Sequence, residues 1–161
     1  MDLKLKKVCD ENYSQMVALH VSEGQEGFIE TTEECLEEAK ELSLWRPVGI
    51  YDGDKLVGFA MYGLFESEGE KGRVWLDRFM IGERHQGKGY GKASLCLLIR
   101  QIYEEYNYDE VFLSIYDDNV NAIKLYERAG FRFNGEIDTK GEKVMVTALE
   151  SIKSIIAKGE I

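Results

Sequence analysis

The spacing of apolar and polar residues predicts strands and helices that follow one another along most of the chain. Residues 3–8 alternate between apolar and charged side chains, which is typical of a half-buried strand. Asp10 is placed to cap the helix that follows. Thr31 and Glu34 have the spacing of a capping box, so a second helix is expected to begin there. Two helices therefore separate the first strand from the next one.

A hairpin and a further strand are predicted in the middle of the chain. Residues 47–51 and 55–65 have the pattern of two strands joined by a tight turn. Another strand covers about residues 73–81. A glycine-rich turn then leads into a helix, in which apolar residues recur at helical spacing over residues 95–106. This turn between strand and helix lies at the centre of the chain.

The remaining elements complete a mixed pattern. A nearly continuous apolar strand over residues 111–116 precedes a helix over about 119–129, which Gly130 is expected to end. Two more strands follow, at 131–136 and 143–149. The order is β-α-α-β-β-β-α-β-α-β-β, which predicts an α/β fold with a mixed sheet and helices on its faces.

Length and composition fit one domain. The chain has 161 residues, of which 44% are hydrophobic, enough to bury a core without disulfides or metal ions. No repeat and no linker rich in Pro or Ser marks a second domain. We therefore expect a single domain over residues 1–149 and a polar tail over 150–161.

The chain is acidic, with 20 Lys and Arg residues against 30 Asp and Glu residues and a net charge of −10. This balance argues against a surface that binds nucleic acid, because neutralising phosphates requires clustered basic residues. It leaves cationic partners open.

The cysteines favour a cytoplasmic protein without a metal site. Cys9, Cys35 and Cys96 are odd in number, lie far apart and form no C-x-x-C pair. Neither Cys35 nor Cys96 has an evident histidine partner, so both are expected to be structural. No apolar run is long enough for a membrane span, and the first residues lack the apolar stretch of a signal peptide.

The turn over residues 82–92 (GERHQGKGYGK) concentrates positive charge in this acidic chain. Gly87, Gly89 and Gly91 allow the backbone to point its N–H groups toward one place, and the following helix adds the positive end of its dipole. With three basic side chains nearby, the turn is a candidate phosphate site. A strand-to-helix turn that binds no ligand remains the alternative.

Two common phosphate-binding motifs fit this turn poorly. Gly82 and the pair Gly87-Lys88 have the spacing of a nucleoside triphosphate P-loop, but Gly89 stands where that motif needs a hydroxyl for magnesium. A dinucleotide fold needs G-x-G-x-x-G after the first strand of a βαβ unit. This chain has G-x-G-x-G after its fourth predicted strand, so both interpretations are disfavoured.

A third motif fits better. Gln86-x-x-Gly89-x-Gly91, which follows a strand and opens a helix, resembles the acetyl-CoA pyrophosphate loop of the GNAT superfamily of N-acetyltransferases. The segment NVNAIKLYERAGF and the order of elements are also similar to that superfamily, so the resemblance covers residues 3–149. Stretches such as LVGFAMYGLF and RVWLDRFMI look most similar to the bacterial spermine/spermidine acetyltransferases. The resemblance implies acetyl-CoA as cosubstrate and suggests a homodimer.

The same resemblance implies which residues hold the cofactor. The backbone of Phe79, Met80 and Ile81 would pair with the pantetheine arm, and Asn119 and Lys124 would lie near the rest of the cofactor. The residues expected around the pyrophosphate are Gln86, Gly87, Lys88, Gly89, Tyr90, Gly91 and Lys92. Many relatives have Arg in place of Gln86, so here the lysines and the backbone N–H groups would contribute more.

Acetyl transfer from a thioester requires an amine that has lost its proton. An alkyl amine has a pKa near 10.4, so only about one molecule in 10³ is neutral at pH 7. Asp77 lies two residues before the pantetheine segment, where the resembling polyamine enzymes carry an acidic residue. We expect it to orient the amine and to accept its proton through an ordered water. The alternative is a surface aspartate paired with Arg73 or Arg78.

Tyr126 is the candidate proton donor to the leaving thiolate. It follows Asn119 by seven residues on the predicted helix, so the two share a face, and the resemblance implies that Tyr126 lies beside the sulfur. A phenol can donate a proton to a thiolate whose pKa is about 8.5. The alternative is a core aromatic residue packed on Leu125 or Phe131. The expected oxyanion donor is a backbone N–H of the central strand.

Residues 23–41 form the most acidic stretch, with eight glutamates and one lysine. Most of these charges fit the solvated face of an amphipathic helix. In the resembling enzymes the preceding loop forms the acceptor wall, so Glu26 and Glu30 are candidates for binding a cationic polyamine. An aminoglycoside, another small amine and a peptide amine remain alternative acceptors. A non-catalytic CoA-binding sensor is the alternative from another functional class.

Overall fold

The computed structural model describes residues 1–21 and 31–157. Within these residues, seven strands form one sheet and five helices surround it. The strands are β1 (Leu3–Lys7), β2 (Trp45–Asp52), β3 (Lys55–Phe65), β4 (Arg73–Ile81), β5 (Glu110–Ile115), β6 (Arg132–Ile137) and β7 (Lys143–Ala148). The helices are α1 (Tyr13–Val17), α2 (Thr32–Glu41), α3 (Tyr90–Tyr106), α4 (Val120–Arg128) and α5 (Leu149–Ala157), with a 3₁₀ turn at Glu83–His85.

The sheet order β1-β2-β3-β4-β5-β7-β6 contains one parallel pair, β4 and β5, among antiparallel neighbours. In the described register these two strands meet only at Trp75 and Phe112, while every antiparallel pair has three or more paired positions. The second half of β4 is therefore not paired with β5 in the described register, which leaves a gap between the two strands. This gap between β4 and β5 in the middle of the sheet is where the two cavities described below are found.

A β-bulge interrupts β4 at Asp77. The pairing with β3 passes from Tyr62–Leu76 to Met61–Arg78, so Asp77 is an extra residue on its strand. Bulges bend a strand and re-aim the side chains beside them. The pairing between β3 and β4 therefore determines the position of Asp77 next to the gap.

The core lies on both faces of the sheet, as alternation along the strands requires. On one face, Tyr62 packs with Leu95 and Ile99 of α3 and with Phe131. On the other face, helices α1 and α2 cover a second cluster, whose buried members include Met16, Leu36, Phe59 and Met61. Each fully buried large apolar side chain contributes about 1.5–3 kcal/mol. The central strands are therefore held rigidly beside the gap.

The order of elements confirms the predicted mixed α/β fold, with two local differences. The prediction that Asp10 caps the first helix is wrong, because α1 begins at Tyr13 after Asn12. The Asn12 carboxamide accepts from the Cys9 N–H instead, at 2.8 Å. The polar tail begins with helix α5, whose pattern was too weak in sequence to assign.

The predicted start of α2 is confirmed, with the Thr31 side chain capping the helix. The Thr31 hydroxyl accepts from the Glu34 N–H at 3.1 Å and donates to the Glu34 carboxylate at 3.0 Å. None of the helices in residues 1–21 and 31–157 is both long and apolar enough to span a membrane.

Candidate active site

The glycine turn after β4 has the geometry that an anion site requires. Gly87 and Gly89 have φ values of +73° and +86°, a left-handed backbone that glycine adopts without strain. Gly89 directly precedes α3, so the turn places the N-terminus of a 17-residue helix next to the end of β4. Backbone N–H groups and the helix dipole together favour a bound phosphate there.

The electrostatic field around the turn is positive. Burial lowers the pKa of His85, and the neighbouring charges of Lys55, Lys88 and Arg84 lower it further. The chain as a whole is strongly acidic, so this is a local concentration of cations. An anionic ligand would be attracted to this turn in preference to the surrounding surface.

Beside the turn lies a cavity of about 600 Å³, which we call the loop cavity. Its walls come from the turn, from the end of β4 and from α4. The residues expected at the cofactor that line it are Phe79, Met80, Ile81, Gln86, Gly87, Gly91 and Asn119. An extended ligand arm along β4 would meet backbone groups that β5 leaves unpaired in the described register. The cavity therefore fits a long, phosphorylated ligand such as acetyl-CoA.

Several side chains of the turn are bonded to the protein itself. The Gln86 carboxamide donates to the Ile81 carbonyl at 2.9 Å, and the Lys88 ammonium donates to the Arg84 carbonyl at 2.9 Å. The buried Tyr90 donates its hydroxyl to Asp52 at 2.6 Å. These bonds fix the shape of the turn, so its backbone N–H groups are the main candidates for contacting phosphate. Contact by the side chains stays a prediction.

The three predicted cofactor lysines, Lys88, Lys92 and Lys124, do not line the loop cavity. Lys92 is exposed on the first turn of α3, and Lys124 is exposed on α4. A role for them would be restricted to the outer part of a long ligand.

A second cavity of about 550 Å³ lies on the other side of the gap, and we call it the acidic cavity. The carboxylates that line it are Glu34, Asp77, Asp138 and Glu142. Arg78 and Lys140 are its cations, and the Arg78 side chain is buried, with a guanidinium nitrogen 3.2 Å from the Met80 sulfur. The lining is thus predominantly negative, which suits a cationic ligand.

The two cavities share four wall residues, which are Phe79, Asn119, Ala122 and Tyr126. Tyr126 stands between the cavities and packs against Phe79 and Phe131, with ring centroids 6.5 and 5.6 Å apart. Burial raises the pKa of its phenol, and the Arg78 charge opposes this only in part. The phenol therefore keeps its proton at neutral pH and can donate it to a group that acquires negative charge.

Sequence reasoning brought some of these residues together and missed others. Asp77 and Tyr126 line one cavity, as their proposed cooperation requires. Glu26 and Glu30, predicted at the acceptor, lie outside the described residues. Asp138 and Glu142 were not identified, since they lie in a hairpin turn whose approach to Asp77 depends on pairing between β5 and β7. No local motif marks them.

No metal site accompanies these cavities within residues 1–21 and 31–157, where no group of three or more His, Cys, Asp or Glu side chains is placed to hold an ion. The arrangement thus consists of an anion-binding turn, an open strand edge, a protonated phenol and a set of carboxylates. These groups can bind a phosphorylated ligand on one side and a cationic ligand on the other, with a proton donor between them.

Comparison with known proteins also indicates an acetyltransferase. The acetyltransferase (GNAT) family model matches residues 9–131. The chain is 51% identical over 152 residues to the spermine/spermidine N(1)-acetyltransferase of Bacillus subtilis (strain 168), which covers 92% of this chain and 100% of that protein. Among solved structures, spermidine N-acetyltransferase from Vibrio cholerae in complex with CoA and spermine has a TM-score of 0.72 at 17% identity, over 94% of this chain and 98% of that chain.

A second solved structure has the same fold, and its name states a different acceptor, an aminoglycoside. An aminoglycoside acetyltransferase in complex with coenzyme A has a TM-score of 0.79 at 16% identity, again over 94% of this chain and 98% of that one. The family match, which spans most of the chain, confirms the resemblance seen in the glycine turn and in the segment from Asn119 to Phe131. The chain therefore belongs to the acetyltransferase (GNAT) family.

Proposed function

We propose that this protein is an acetyl-CoA-dependent N-acetyltransferase that acetylates a primary amine of spermine or spermidine. The observation that carries the proposal is the pair of cavities that meet at Tyr126, one beside a positive glycine turn and one lined by carboxylates. An anionic cofactor and a polycationic acceptor need walls of these opposite charges. The 51% identity to a spermine/spermidine acetyltransferase supports the acceptor class.

The loop cavity would hold acetyl-CoA, which supplies the thioester. Backbone N–H groups of Gly87 to Gly91 would bind the pyrophosphate, because the side chains of Gln86 and Lys88 are bonded within the turn and the Gln86 N–H donates to the Glu83 carbonyl. The unpaired edge of β4 at Phe79 to Ile81 would orient the pantetheine arm toward Tyr126. A backbone N–H of β4 near the bulge would be the oxyanion donor.

The acidic cavity would hold the acceptor. Asp77 lies at the bulge, two residues before the pantetheine segment, and would bind and orient the attacking ammonium group. Other carboxylates of the cavity, such as Glu34, would bind further ammonium groups along the polyamine. Tyr126 would donate its proton to the sulfur as the carbon–sulfur bond breaks.

Release of CoA thiol from acetyl-CoA, measured with four acceptors, tests this function. We expect turnover with spermine and spermidine at a kcat/KM at least about tenfold above that with an aminoglycoside or a lysine peptide, a difference of about 1.4 kcal/mol. Turnover with an aminoglycoside alone would assign the protein to the acceptor class of its structural neighbour. Tight CoA binding without turnover on any amine would indicate a CoA sensor.

We further propose that residues 1–149 form the catalytic domain of a cytoplasmic homodimer. The resemblance supports the dimer, and the three cysteines, which form no disulfide, support the location. Light scattering at micromolar concentration would test the dimer, and a mass of 18.4 kDa would show a monomer.

A further inference from the structure

The turn between β6 and β7 carries Glu142, whose carboxylate lines the acidic cavity. Asp138 holds the backbone of this turn in place. One carboxylate oxygen of Asp138 accepts from the N–H groups of Lys140 and Glu142, at 2.9 and 2.8 Å. The Asp138 N–H in turn donates to the Glu142 carbonyl at 2.8 Å. Asp138 thus organises the turn, and Glu142 is fixed at its end next to the first residue of β7.

The strand pairing places Glu142 beside the gap in the sheet. Lys143 pairs with Ile115 at the end of β5, so Glu142 lies where β5 turns away toward α4. The Ser114 side chain forms a hydrogen bond with the Glu142 carboxylate. Ser114 and Glu142 line the same cavity as Asp77 and Tyr126. A carboxylate from the hairpin thus faces the bulged strand across the site.

The surroundings of Glu142 make it a stronger base than an ordinary glutamate. Burial raises the pKa of its carboxyl, and the negative charges of Asp138 and Asp77 raise it further. The Lys140 charge and the Ser114 hydrogen bond oppose this shift without cancelling it. The charged residues that line the cavity around it are Glu34, Asp77, Arg78, Asp138 and Lys140. A base whose pKa lies closer to neutrality is better matched to proton abstraction at pH 7.

We propose that Glu142 is the catalytic carboxylate that takes the proton of the acceptor ammonium, while Asp77 holds that ammonium in place. This inference rests on the proposed function. Glu142 receives one proton from nitrogen, directly or through one water, and later releases it to solvent. The nitrogen lone pair then forms the bond to the acetyl carbon. Tyr126 gives its proton to the sulfur as the carbon–sulfur bond breaks, and the second nitrogen proton returns to the phenolate oxygen.

This role has a pH signature that a structural role would not have. At pH 7 almost all acceptor is protonated, so Glu142→Gln should lower kcat by about 10²-fold, the lower range for general-base catalysis. As the pH approaches the amine pKa, about 10.4, free amine no longer needs a base and the defect should shrink to a few-fold. A change that merely disturbed the fold would lower the rate by a similar factor at every pH.

The experiment compares Glu142→Gln, Glu142→Asp, Asp77→Asn and the control Glu110→Gln. Glu110 is exposed at the opposite end of β5 and lines neither cavity. We expect kcat to fall in Glu142→Gln with KM and spermine affinity of the CoA complex within about threefold of wild type. Glu142→Asp should recover part of the rate, and Glu110→Gln should behave as wild type. For Asp77→Asn, the increase in KM should exceed the decrease in kcat.

The acceptor for these measurements is the amine that wild type turns over fastest, so the two proposals fail separately. Inert wild type would overturn the proposed function. An active wild type with a pH-independent defect in Glu142→Gln, or with no defect, would overturn the role of Glu142 alone. Thermal unfolding of each variant identifies misfolding, and a misfolded Glu142→Gln would leave the partial rescue and pH dependence of Glu142→Asp as the deciding result.

Discussion

The loop cavity and the acidic cavity are built in different ways, although they share a wall at Tyr126. The proposed anion-binding part of the loop cavity comes from consecutive residues and would act through the backbone, whose shape two glycines set. The carboxylates of the acidic cavity come from α2, β4 and a distant hairpin turn and act through side chains. A turn made from one segment and a set of carboxylates made from several can therefore change independently.

A substitution of Tyr126, in the wall that the two cavities share, should lower kcat more than any other change. Tyr126→Phe removes the proton donor but keeps the ring that packs on Phe79 and Phe131. We expect kcat to fall by about 10²–10³-fold, within the range for general acid catalysis. CoA affinity, measured by calorimetry, should stay within about twofold of wild type.

The matched control is Tyr106→Phe. Burial also raises the pKa of Tyr106, to about 12, but its ring packs on Tyr62 outside both cavities. A similar loss of kcat in both variants would remove Tyr126 from the proton-donating role.

A change in the backbone conformation of the glycine turn should by itself weaken CoA binding in the loop cavity. Gly89→Ala puts a side chain at φ +86°, which costs about 1–2 kcal/mol and pushes the turn out of its left-handed shape. Because binding must restore that shape, CoA affinity should fall about 5- to 30-fold while KM for spermine changes little.

Gly135→Ala is the control for backbone strain. Gly135 has a similar φ of +90°, open space around it and no part in either cavity. It should lower the melting temperature comparably and leave CoA affinity unchanged. Equal CoA affinity in both variants would show that the shape of the turn does not matter for binding.

The acidic cavity should respond to salt. Raising ionic strength from 0.1 to 1 M shortens the screening length from about 10 to about 3 Å, so KM for spermine should rise about tenfold. Asp77→Asn should raise KM at low salt and flatten this dependence, whereas the exposed Asp109→Asn should do neither. A KM for spermine that is independent of salt would contradict the acidic cavity as the acceptor site.

The smallest effect is expected at Lys88. Its ammonium group donates to the Arg84 carbonyl, so Lys88→Ala should weaken CoA binding by no more than about threefold. A loss above tenfold, measured by calorimetry at 0.1 M salt, would show that this side chain contacts the pyrophosphate directly.

The contrast between a turn of consecutive residues and carboxylates from distant segments also explains which features the sequence could predict. Positions 82–92 carry their glycines and charges in one run, so the phosphate site and the family were visible before the structure. The bulge at Asp77 and the approach of Glu142 depend on strand pairing between residues far apart in the chain. Side-chain bonds such as Gln86 to Ile81 also could not be predicted, because they depend on rotamers chosen in the folded turn.

Helix α1 shows a local limit of sequence reasoning. Asp10 is a residue type that caps helices well, and its place before the apolar positions of the helix predicted a cap there. The fold places the helix start after Asn12, because the Asn12 side chain is bonded to the backbone of Cys9 and Lys7 at the end of β1.

A crystal structure with CoA and spermine bound together tests the division between the two cavities most directly. We expect a spermine nitrogen in the acidic cavity, within about 3.2 Å of a carboxylate oxygen of Asp77 or Glu142. The CoA sulfur should lie within about 3.5 Å of the Tyr126 hydroxyl oxygen, at the shared wall. Spermine bound outside the acidic cavity, or a sulfur out of reach of Tyr126, would contradict this account.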